Sequence, residues 1–242
     1  MRMLLLCLVI LLLAATSPAF ASSGWSRAKN VADDVIYAGK DRTLYCGCVY
    51  TSHGDSDGSG DVDHQACGYQ TADKWQNVAD AIQWEHIVPA SLMPARAFDC
   101  WVLGGREKCE REDPRAQGML FDLHNLAPSI GQVNQYRRND RYTEVDSGGD
   151  IFGQCPARDE GKAFEPPDCI KGDVARVWLY MSFRHGVVIP QDERDMFEEW
   201  AENDPVSPWE SEREDRVFKY TFVHNPLVDG VTPDTAGACT WE

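Results

Sequence analysis

The chain has 242 residues, of which 43% are hydrophobic and 26% charged, and its 39 acidic and 23 basic side chains give a net charge of -16. This composition is that of a globular protein, which excludes disordered, collagen-like and coiled-coil chains. A protein that binds nucleic acid through its overall charge is basic. Any such contact in this acidic chain must therefore come from a local basic patch.

The first residues have the pattern of an export signal. Arg2 precedes an apolar run over residues 4–15, and residues 19–21 read Ala-Phe-Ala, a small-x-small cleavage site. The apolar run is shorter than a membrane-spanning helix. We expect residues 1–21 to be a signal peptide and residues 22–242 to be the mature protein, secreted or periplasmic and without a membrane anchor.

Hydrophobic periodicity and the positions of glycine and proline divide the remaining chain into short elements. In the first half we expect a helix over 25–40, a strand over 43–50, a polar loop over 53–64, a strand over 82–88 and a short helix over 91–99. In the second half we expect a loop-rich stretch over 100–118, a strand over 121–126, a helix from 128 to about 142, an irregular segment over 146–171 and helices over 174–184, 191–202 and 210–222. This order predicts one mixed α+β domain with additional helices and disulfide-clipped loops.

Removal of the signal peptide, with its Cys7, leaves an even number of cysteines. The remaining eight are Cys46, Cys48, Cys67, Cys100, Cys109, Cys155, Cys169 and Cys239. In an exported protein this number predicts up to four disulfides, and the absence of any CxxC pair argues against zinc. Short spacing favours Cys100 with Cys109, and Cys155 with Cys169.

The other two disulfides involve the predicted strand over 43–50. Cys46 and Cys48 would share one face of that strand, because side chains two residues apart lie on the same side. Their partners would then be Cys67 and Cys239, in an order that the sequence leaves open.

Three short motifs carry polar side chains suited to chemistry, and neither HExxH nor GxSxG is present. The three are Trp84-Glu85-His86, Asp122-Leu123-His124-Asn125-Leu126 and Gly131-Gln132-Val133-Asn134-Gln135-Tyr136-Arg137-Arg138. Further segments with matching order and spacing are Tyr45-Cys46-Gly47-Cys48, Cys67-Gly68-Tyr69-Gln70, Gly104-Gly105-Arg106 and His224-Asn225-Pro226. Together they resemble the bacterial endonuclease I family of secreted and periplasmic nucleases, whose active site is a ββα-metal (His-Me finger) unit.

The resemblance implies a role for four residues. His86 would be the general base, because neutral imidazole can accept a proton from water near neutral pH. Glu85 and Asn134 would hold Mg²⁺, which prefers oxygen ligands and keeps much of its hydration. Arg106 would stabilise the cleaved phosphate.

Glu85 and His86 are neighbours, and neighbouring residues of a regular strand face opposite sides of the sheet. Both can reach one phosphate if the strand twists or breaks before Pro89, which cannot continue a ladder. They can also do so if the phosphate lies at the end of the strand.

The resemblance has further implications around the second motif. Many family members have a Glu where this chain has Leu120, so Mg²⁺ binding would be weaker here. His124 and Asn125 would be structural residues that form hydrogen bonds rather than a second catalytic base.

A basic patch is expected on the predicted helix after residue 128. Asn134, Arg137, Arg138 and Arg141 follow the spacing i, i+3, i+4 and i+7, which places them on one helical face. A metal ligand followed by guanidinium groups suits a phosphate backbone. We therefore expect the three arginines to bind nucleic acid.

The polar loop before residue 64 contains a second candidate metal site. Asp55, Asp57, Ser59 and Asp63 follow the spacing of oxygen-rich calcium loops, with Gly60 expected at the tight turn. The bidentate Glu that closes such a loop is absent. A solvated acidic hairpin loop is the alternative.

The sequence therefore predicts a monomeric, exported, Mg²⁺-dependent endonuclease of low sequence specificity. Its substrates would be double- and single-stranded DNA, with RNA as a further candidate, because no base-reading module is evident. One alternative is an exported calcium-dependent binding protein, in which Glu85, His86 and Asn134 would be dispensable. Another is a secreted glycosidase with paired carboxylates.

Overall fold

Helices and short antiparallel sheets alternate in the computed structural model, which describes residues 24–55 and 57–241. The predicted signal peptide lies outside the described residues. The helices are α1 (Gly24–Val31), α2 (Asp99–Glu112), α3 (Pro114–Leu120), α4 (Gly131–Arg137), α5 (Lys171–His185), α6 (Gln191–Asn203) and α7 (Pro208–Thr221). The strands are β1 (Tyr50–Ser52), β2 (Gly60–Val62), β3 (Ile82–His86), β4 (Leu126–Ile130), β5 (Arg158–Asp159) and β6 (Phe164–Glu165). The predicted mixture of helix and sheet is confirmed.

The predicted N-terminal helix is confirmed. Helix α1 continues as a π-helical turn over Ala32–Ile36. Ala28, Ala32 and Ile36 are buried at intervals of four residues, so this helix packs one apolar stripe onto the core.

Strands β3 and β4 and helix α4 form one continuous unit. The two strands pair antiparallel, from Ile82 opposite Ile130 to His86 opposite Leu126. Helix α4 begins directly after β4, and the N–H of Gly131 donates to the carbonyl of Ala81 at 2.7 Å. The strand predicted over 82–88 is confirmed with a shorter end.

The strand predicted over 121–126 is displaced. Residues Leu123–Asn125 form a 3₁₀ turn, and the strand begins only at Leu126. The reason is local, since the Asp122 carboxylate accepts a hydrogen bond from the N–H of His124 at 3.0 Å and caps the turn.

Two further predictions are wrong. The stretch over 100–118 is helical, in α2 and α3, although α2 is interrupted at Gly105, where φ is +72°. Residues before Tyr50 form a turn rather than a strand, because the N–H of Leu44 donates to Pro128 at 2.7 Å and Gly47 donates back to Thr43 at 2.9 Å.

Four disulfides join the described cysteines. They are Cys46–Cys155, Cys48–Cys67, Cys100–Cys109 and Cys169–Cys239. The prediction for Cys100 with Cys109 is confirmed, and that for Cys155 with Cys169 is wrong. The β5–β6 hairpin lies between Cys155 and Cys169, and the Cys155 sulfur contacts the carbonyl of Tyr45 instead.

The three late helices are confirmed, with α5 extended at both ends. The stripe Val174, Val177, Trp178 and Met181 of α5 is buried, and the Trp178 ring stacks on Phe197 of α6 at 5.3 Å. None of the helices in residues 24–55 and 57–241 is long and apolar enough to cross a membrane.

Candidate active site

An open cleft of about 410 Å³ lies at the end of β3 and beside the start of the second half of α2. Its polar lining includes Glu85, His86, Arg106, Asn134, Arg138 and Asn139. The structure therefore brings together five of the residues predicted for catalysis, metal binding and nucleic-acid contact.

The position of β3 answers the question of how two neighbouring residues reach one site. Glu85 and His86 both line the cleft, and His86 is the last residue of the strand. The cleft thus lies at the strand end, where the alternation of a regular strand no longer separates the two side chains.

The His86 imidazole is buried, with 8% of the residue exposed. Its Nε2 lies 2.7 Å from the backbone carbonyl of Leu120. A carbonyl can only accept a hydrogen bond, so Nε2 carries the proton and Nδ1 keeps its lone pair. Burial lowers the pKa of His86 to about 3, helped by the positive charge of Arg106, so the ring is neutral at pH 7.

Glu85 is held from one side of its carboxylate. The residue is 2% exposed, and Oε1 accepts hydrogen bonds from the Tyr45 hydroxyl at 2.9 Å and from Nη1 of Arg137 at 2.8 Å. Burial raises the pKa of Glu85, while the Arg137 charge and the Tyr45 hydrogen bond oppose that shift. Among the described residues none donates to Oε2, which remains as the oxygen able to bind a cation.

Asn134 of α4 is oriented in a similar way. Its Nδ2 donates to Oε1 of Gln83 at 3.1 Å, which leaves Oδ1 as an acceptor. Gln83 and Glu85 are two residues apart on β3 and so lie on the same face of the strand. This pairing fixes the helix residue relative to the strand residue.

The two free oxygens fit Mg²⁺. A carboxylate oxygen and an amide oxygen are hard ligands, and Mg²⁺ commonly binds few protein groups while keeping several waters. Within residues 24–55 and 57–241, no three His, Cys, Asp or Glu side chains are grouped to hold a metal ion. A cation in the cleft would thus depend on this mixed pair of ligands.

Arg106 and Trp25 form the outer side of the cleft. The Trp25 ring stacks on His86, with centroids 4.9 Å apart and planes at 20°. The Arg106 guanidinium lies 5.1 Å from the centroid of the Trp25 ring. Nε of Arg106 also donates to Glu110 at 2.5 Å. Sequence reasoning missed Trp25, because it belongs to none of the motifs and reaches the cleft only through the packing of α1.

The predicted arginine face does not exist, because α4 ends at Arg137 and Arg138 has a φ of +51°. Arg137 is fully buried and also donates to the carbonyls of His86 at 2.8 Å and Ile87 at 2.7 Å. It therefore supports the end of β3 and is out of reach of a phosphate.

The other two arginines of the predicted patch are separated. Arg138 lines the cleft and forms an ion pair with Asp140 at 3.2 Å. Arg141 forms an ion pair with Glu193 of α6 and is not among the residues that line the cleft. Of the three arginines predicted to bind nucleic acid, only Arg138 lines the cleft together with Arg106.

The second motif, over residues 122–126, supports the chain just after β3. The Asn125 side chain accepts from the N–H of Val88 at 2.7 Å and donates to the carbonyl of Val88 at 3.0 Å. His124 is buried, which lowers its pKa to about 4, and its Nδ1 lies 3.4 Å from Glu214. The Leu120 side chain is fully buried, so only its carbonyl takes part in the site.

The candidate calcium loop forms the hairpin between β1 and β2. Gly54 and Gly58 have positive φ values of +61° and +56° there, while Gly60 is a strand residue. The two oxygens of Asp55 accept hydrogen bonds from the N–H groups of Asp57 and Ser59 and from the Ser59 hydroxyl.

The remaining carboxylates of the calcium prediction also have partners. Asp57 pairs with Lys29 at 2.6 Å, and Asp63 lies beyond β2, where it caps the N–H groups of Gln65 and Ala66. The described carboxylates of Asp55, Asp57 and Asp63 thus accept hydrogen bonds or pair with Lys29, and calcium binding by this loop stays a prediction.

Comparison with known proteins identifies the class and then the family. A model of the endonuclease I family matches residues 26–232. The protein is thus a nuclease, a class of hydrolase. Endonuclease-1 of Buchnera aphidicola is 35% identical over 77% of this chain and 73% of its own length. The chain belongs to the endonuclease I family.

Two relatives from Aeromonas hydrophila are also nucleases. An extracellular deoxyribonuclease is 34% identical over 80% of this chain and 84% of its own length. A periplasmic deoxyribonuclease is 32% identical over 80% of this chain and 81% of its own length. Their names confirm the predicted secreted or periplasmic location.

Proposed function

We propose that the protein is an endonuclease that hydrolyses phosphodiester bonds of DNA, with His86 as general base and Mg²⁺ held by Glu85 and Asn134. In this proposal β3, β4 and α4 are the ββα-metal unit of one catalytic domain, residues 22–242. The observation that carries it is geometric: His86, oriented by the Leu120 carbonyl, lines the same cleft as Glu85 and Asn134.

His86 would remove a proton from the attacking water at Nδ1. The hydrogen bond from Nε2 to the Leu120 carbonyl fixes the ring orientation, and it strengthens when the ring becomes positively charged. Trp25 packs along the ring and limits its rotation. The protein thus orients its base before substrate binds.

A bound Mg²⁺ would supply the positive charge that the phosphate and its leaving oxygen require. Arg137 and Tyr45 hold one oxygen of Glu85, and Gln83 holds the amide nitrogen of Asn134. Arg106 would place a second positive charge beside the phosphate, where charge develops in the transition state.

The substrate follows from the relatives and from the shape of the site. Two relatives are named deoxyribonucleases, and the cleft offers the guanidinium groups of Arg106 and Arg138 to a phosphate. We therefore propose DNA, double- or single-stranded, with little sequence specificity, and RNA as a further substrate to be tested.

The test uses purified mature protein with supercoiled plasmid DNA. We expect open-circular and linear products in millimolar Mg²⁺, no cleavage in EDTA, and recovery after excess Mg²⁺ is added. The same series on RNA defines the range of substrates. Cleavage that persists in EDTA would contradict the metal role, and intact plasmid in Mg²⁺ would contradict the proposed function.

A further inference from the structure

Glu110 places a carboxylate in the cleft, although a negative charge at that point repels a phosphate backbone. Glu110 lines the cleft together with Arg106. Its Oε1 accepts a hydrogen bond from Nε of Arg106 at 2.5 Å, and the two residues are one turn apart in the second half of α2. The chain is already acidic, with 39 acidic and 23 basic residues. An additional anion beside the phosphate-binding cation therefore requires a reason.

The Arg106 guanidinium is held from two directions. Its Nε donates to Glu110, and its carbon lies 5.1 Å from the centroid of the Trp25 ring. Within residues 24–55 and 57–241, no group accepts a hydrogen bond from Nη1 or Nη2 of Arg106. A guanidinium can donate two parallel hydrogen bonds to a phosphate. Because Glu110 takes Nε, the pair formed by Nη1 and Nη2 is the one left for that contact.

We propose that Glu110 is a positioning residue for Arg106. It holds Nε, so that Nη1 and Nη2 stay directed to the phosphate, and it does not touch the substrate itself. This inference rests on the proposed function, because it takes the contact of Arg106 with the phosphate as given.

The backbone before Arg106 explains why the side chain needs this support. The helix is interrupted at Gly104 and Gly105, and Gly105 has a φ of +72°. Arg106 thus begins a new helical segment. A free arginine side chain loses rotamer entropy when it is fixed on binding. An acceptor one turn later fixes it in advance, and a donor that is already oriented stabilises a transition state better than one that must reorganise.

The charge of Glu110 and its positioning role predict effects of opposite sign. If Glu110 acted only through its charge, its removal would reduce repulsion and strengthen DNA binding. If it positions Arg106, its removal lowers the rate despite the loss of a negative charge. Glu107 provides the matched control, because it is exposed, lines the same cleft and has no ion pair among the described residues.

The test compares Glu110→Ala and Glu107→Ala with the wild-type protein on duplex DNA in Mg²⁺ at 0.05 M NaCl. We expect Glu110→Ala to lower kcat about tenfold, within the about 10²-fold that a misplaced group can cost, with KM unchanged or lower. Glu107→Ala should keep kcat within about twofold and lower KM, because only repulsion is removed.

Three further variants separate positioning from damage to the fold. Glu110→Gln retains an acceptor oxygen for Nε, so it should keep at least about half of the wild-type kcat. Glu110→Asp retains the charge but shortens the reach, so kcat should fall as in Glu110→Ala. In an Arg106→Ala background, Glu110→Ala should cause no further loss, since the two residues act as one unit. Thermal unfolding of Glu110→Ala should match the wild type, because ion pairs of this spacing contribute little to stability.

Four results would overturn the inference. They are a kcat of Glu110→Ala at or above the wild-type value, an equal loss of kcat in Glu107→Ala, an equal loss in Glu110→Gln, and a further loss when Glu110→Ala is added to Arg106→Ala. In each of these the wild-type protein still cleaves DNA, so the proposed function survives. Wild-type protein that cleaves no DNA would overturn both.

Discussion

The cleft and the β1–β2 hairpin both contain oxygen-bearing side chains whose sequence spacing is typical of metal ligands. They differ in how many of those oxygens already accept hydrogen bonds in the folded protein. In the cleft, one atom of each ligand is held by the scaffold: Oε1 of Glu85 by Arg137 and Tyr45, and Nδ2 of Asn134 by Gln83. The second atom stays free. In the hairpin, both oxygens of Asp55 are taken by neighbouring N–H and hydroxyl groups.

Burial separates the two regions as well. Glu85 is 2% exposed and lies beside a buried guanidinium, so its charge has little help from water. The side chain of Asp57 is 62% exposed and pairs with Lys29. Hydrogen bonds lower the pKa of Asp55 to about 2, so its negative charge is stabilised without a metal ion. A ligand site thus requires oriented, partly unsatisfied oxygens and not only suitable spacing.

Replacing one histidine from each region should give the largest contrast. We expect His86→Ala to lower kcat by about 10²–10⁴, because it removes the general base. His53 of the hairpin is paired with Asp61 at 3.0 Å and its side chain is 44% exposed, so His53→Ala should keep the wild-type rate. Initial rates on plasmid DNA at saturating Mg²⁺ measure both.

A His86→Ala variant that kept more than about a tenth of the wild-type rate would contradict the assignment of the base. A matching thermal unfolding curve for the folded variant shows that the loss is chemical. The four disulfides should also remain, because no cysteine of the described residues lines the cleft.

The next largest effect should be on stability, through the buried ion pair between Arg137 and Glu85. Arg137→Met leaves the Glu85 carboxylate buried without its partner, which typically costs about 3–5 kcal/mol. Arg138 is half exposed and pairs with Asp140, so Arg138→Met should cost less than about 1 kcal/mol. Urea unfolding of the two variants gives both values.

The double variant R137M/E85Q sharpens this prediction. Without the buried charge it should unfold at a higher urea concentration than Arg137→Met alone. Equal stability of Arg137→Met and Arg138→Met would mean that the Glu85 carboxylate does not need its buried partner.

How much of this site the sequence predicts depends on the range of the interactions. Glu85 and His86 are neighbours in one motif, and a pattern of this kind indicates chemistry directly. Trp25 contacts His86 across 61 positions of the chain, and no local pattern records that contact. Arg137 has the spacing of a surface arginine, yet its environment is decided by the burial of Glu85.

In the fold, too, local features are predictable from the sequence and long-range contacts are not. Helices α5, α6 and α7 have apolar periods long enough to be predicted from their own residues. The partner of Cys155 is 109 positions away, at Cys46, so spacing favours the wrong, nearer cysteine. The strand near residue 121 is predicted too early because the cap from Asp122 competes with the ladder.

The smallest expected effects belong to the hairpin. Asp57 is exposed and pairs with Lys29 of α1, so Asp57→Ala should change the free energy of unfolding by less than about 1 kcal/mol. Millimolar Ca²⁺ should leave the Tm of the wild-type protein unchanged relative to EDTA, since the carboxylates already have partners. Mg²⁺-supported cleavage should persist in Asp57→Ala, because no described residue of the hairpin lines the cleft.

Thermal scans of the wild-type protein and of Asp57→Ala, with Ca²⁺ and with EDTA, measure the effects on stability. A Ca²⁺-dependent rise in Tm that Asp57→Ala abolishes would show that the hairpin can rearrange its hydrogen bonds around a cation, and the contrast with the cleft would then be one of affinity rather than of kind.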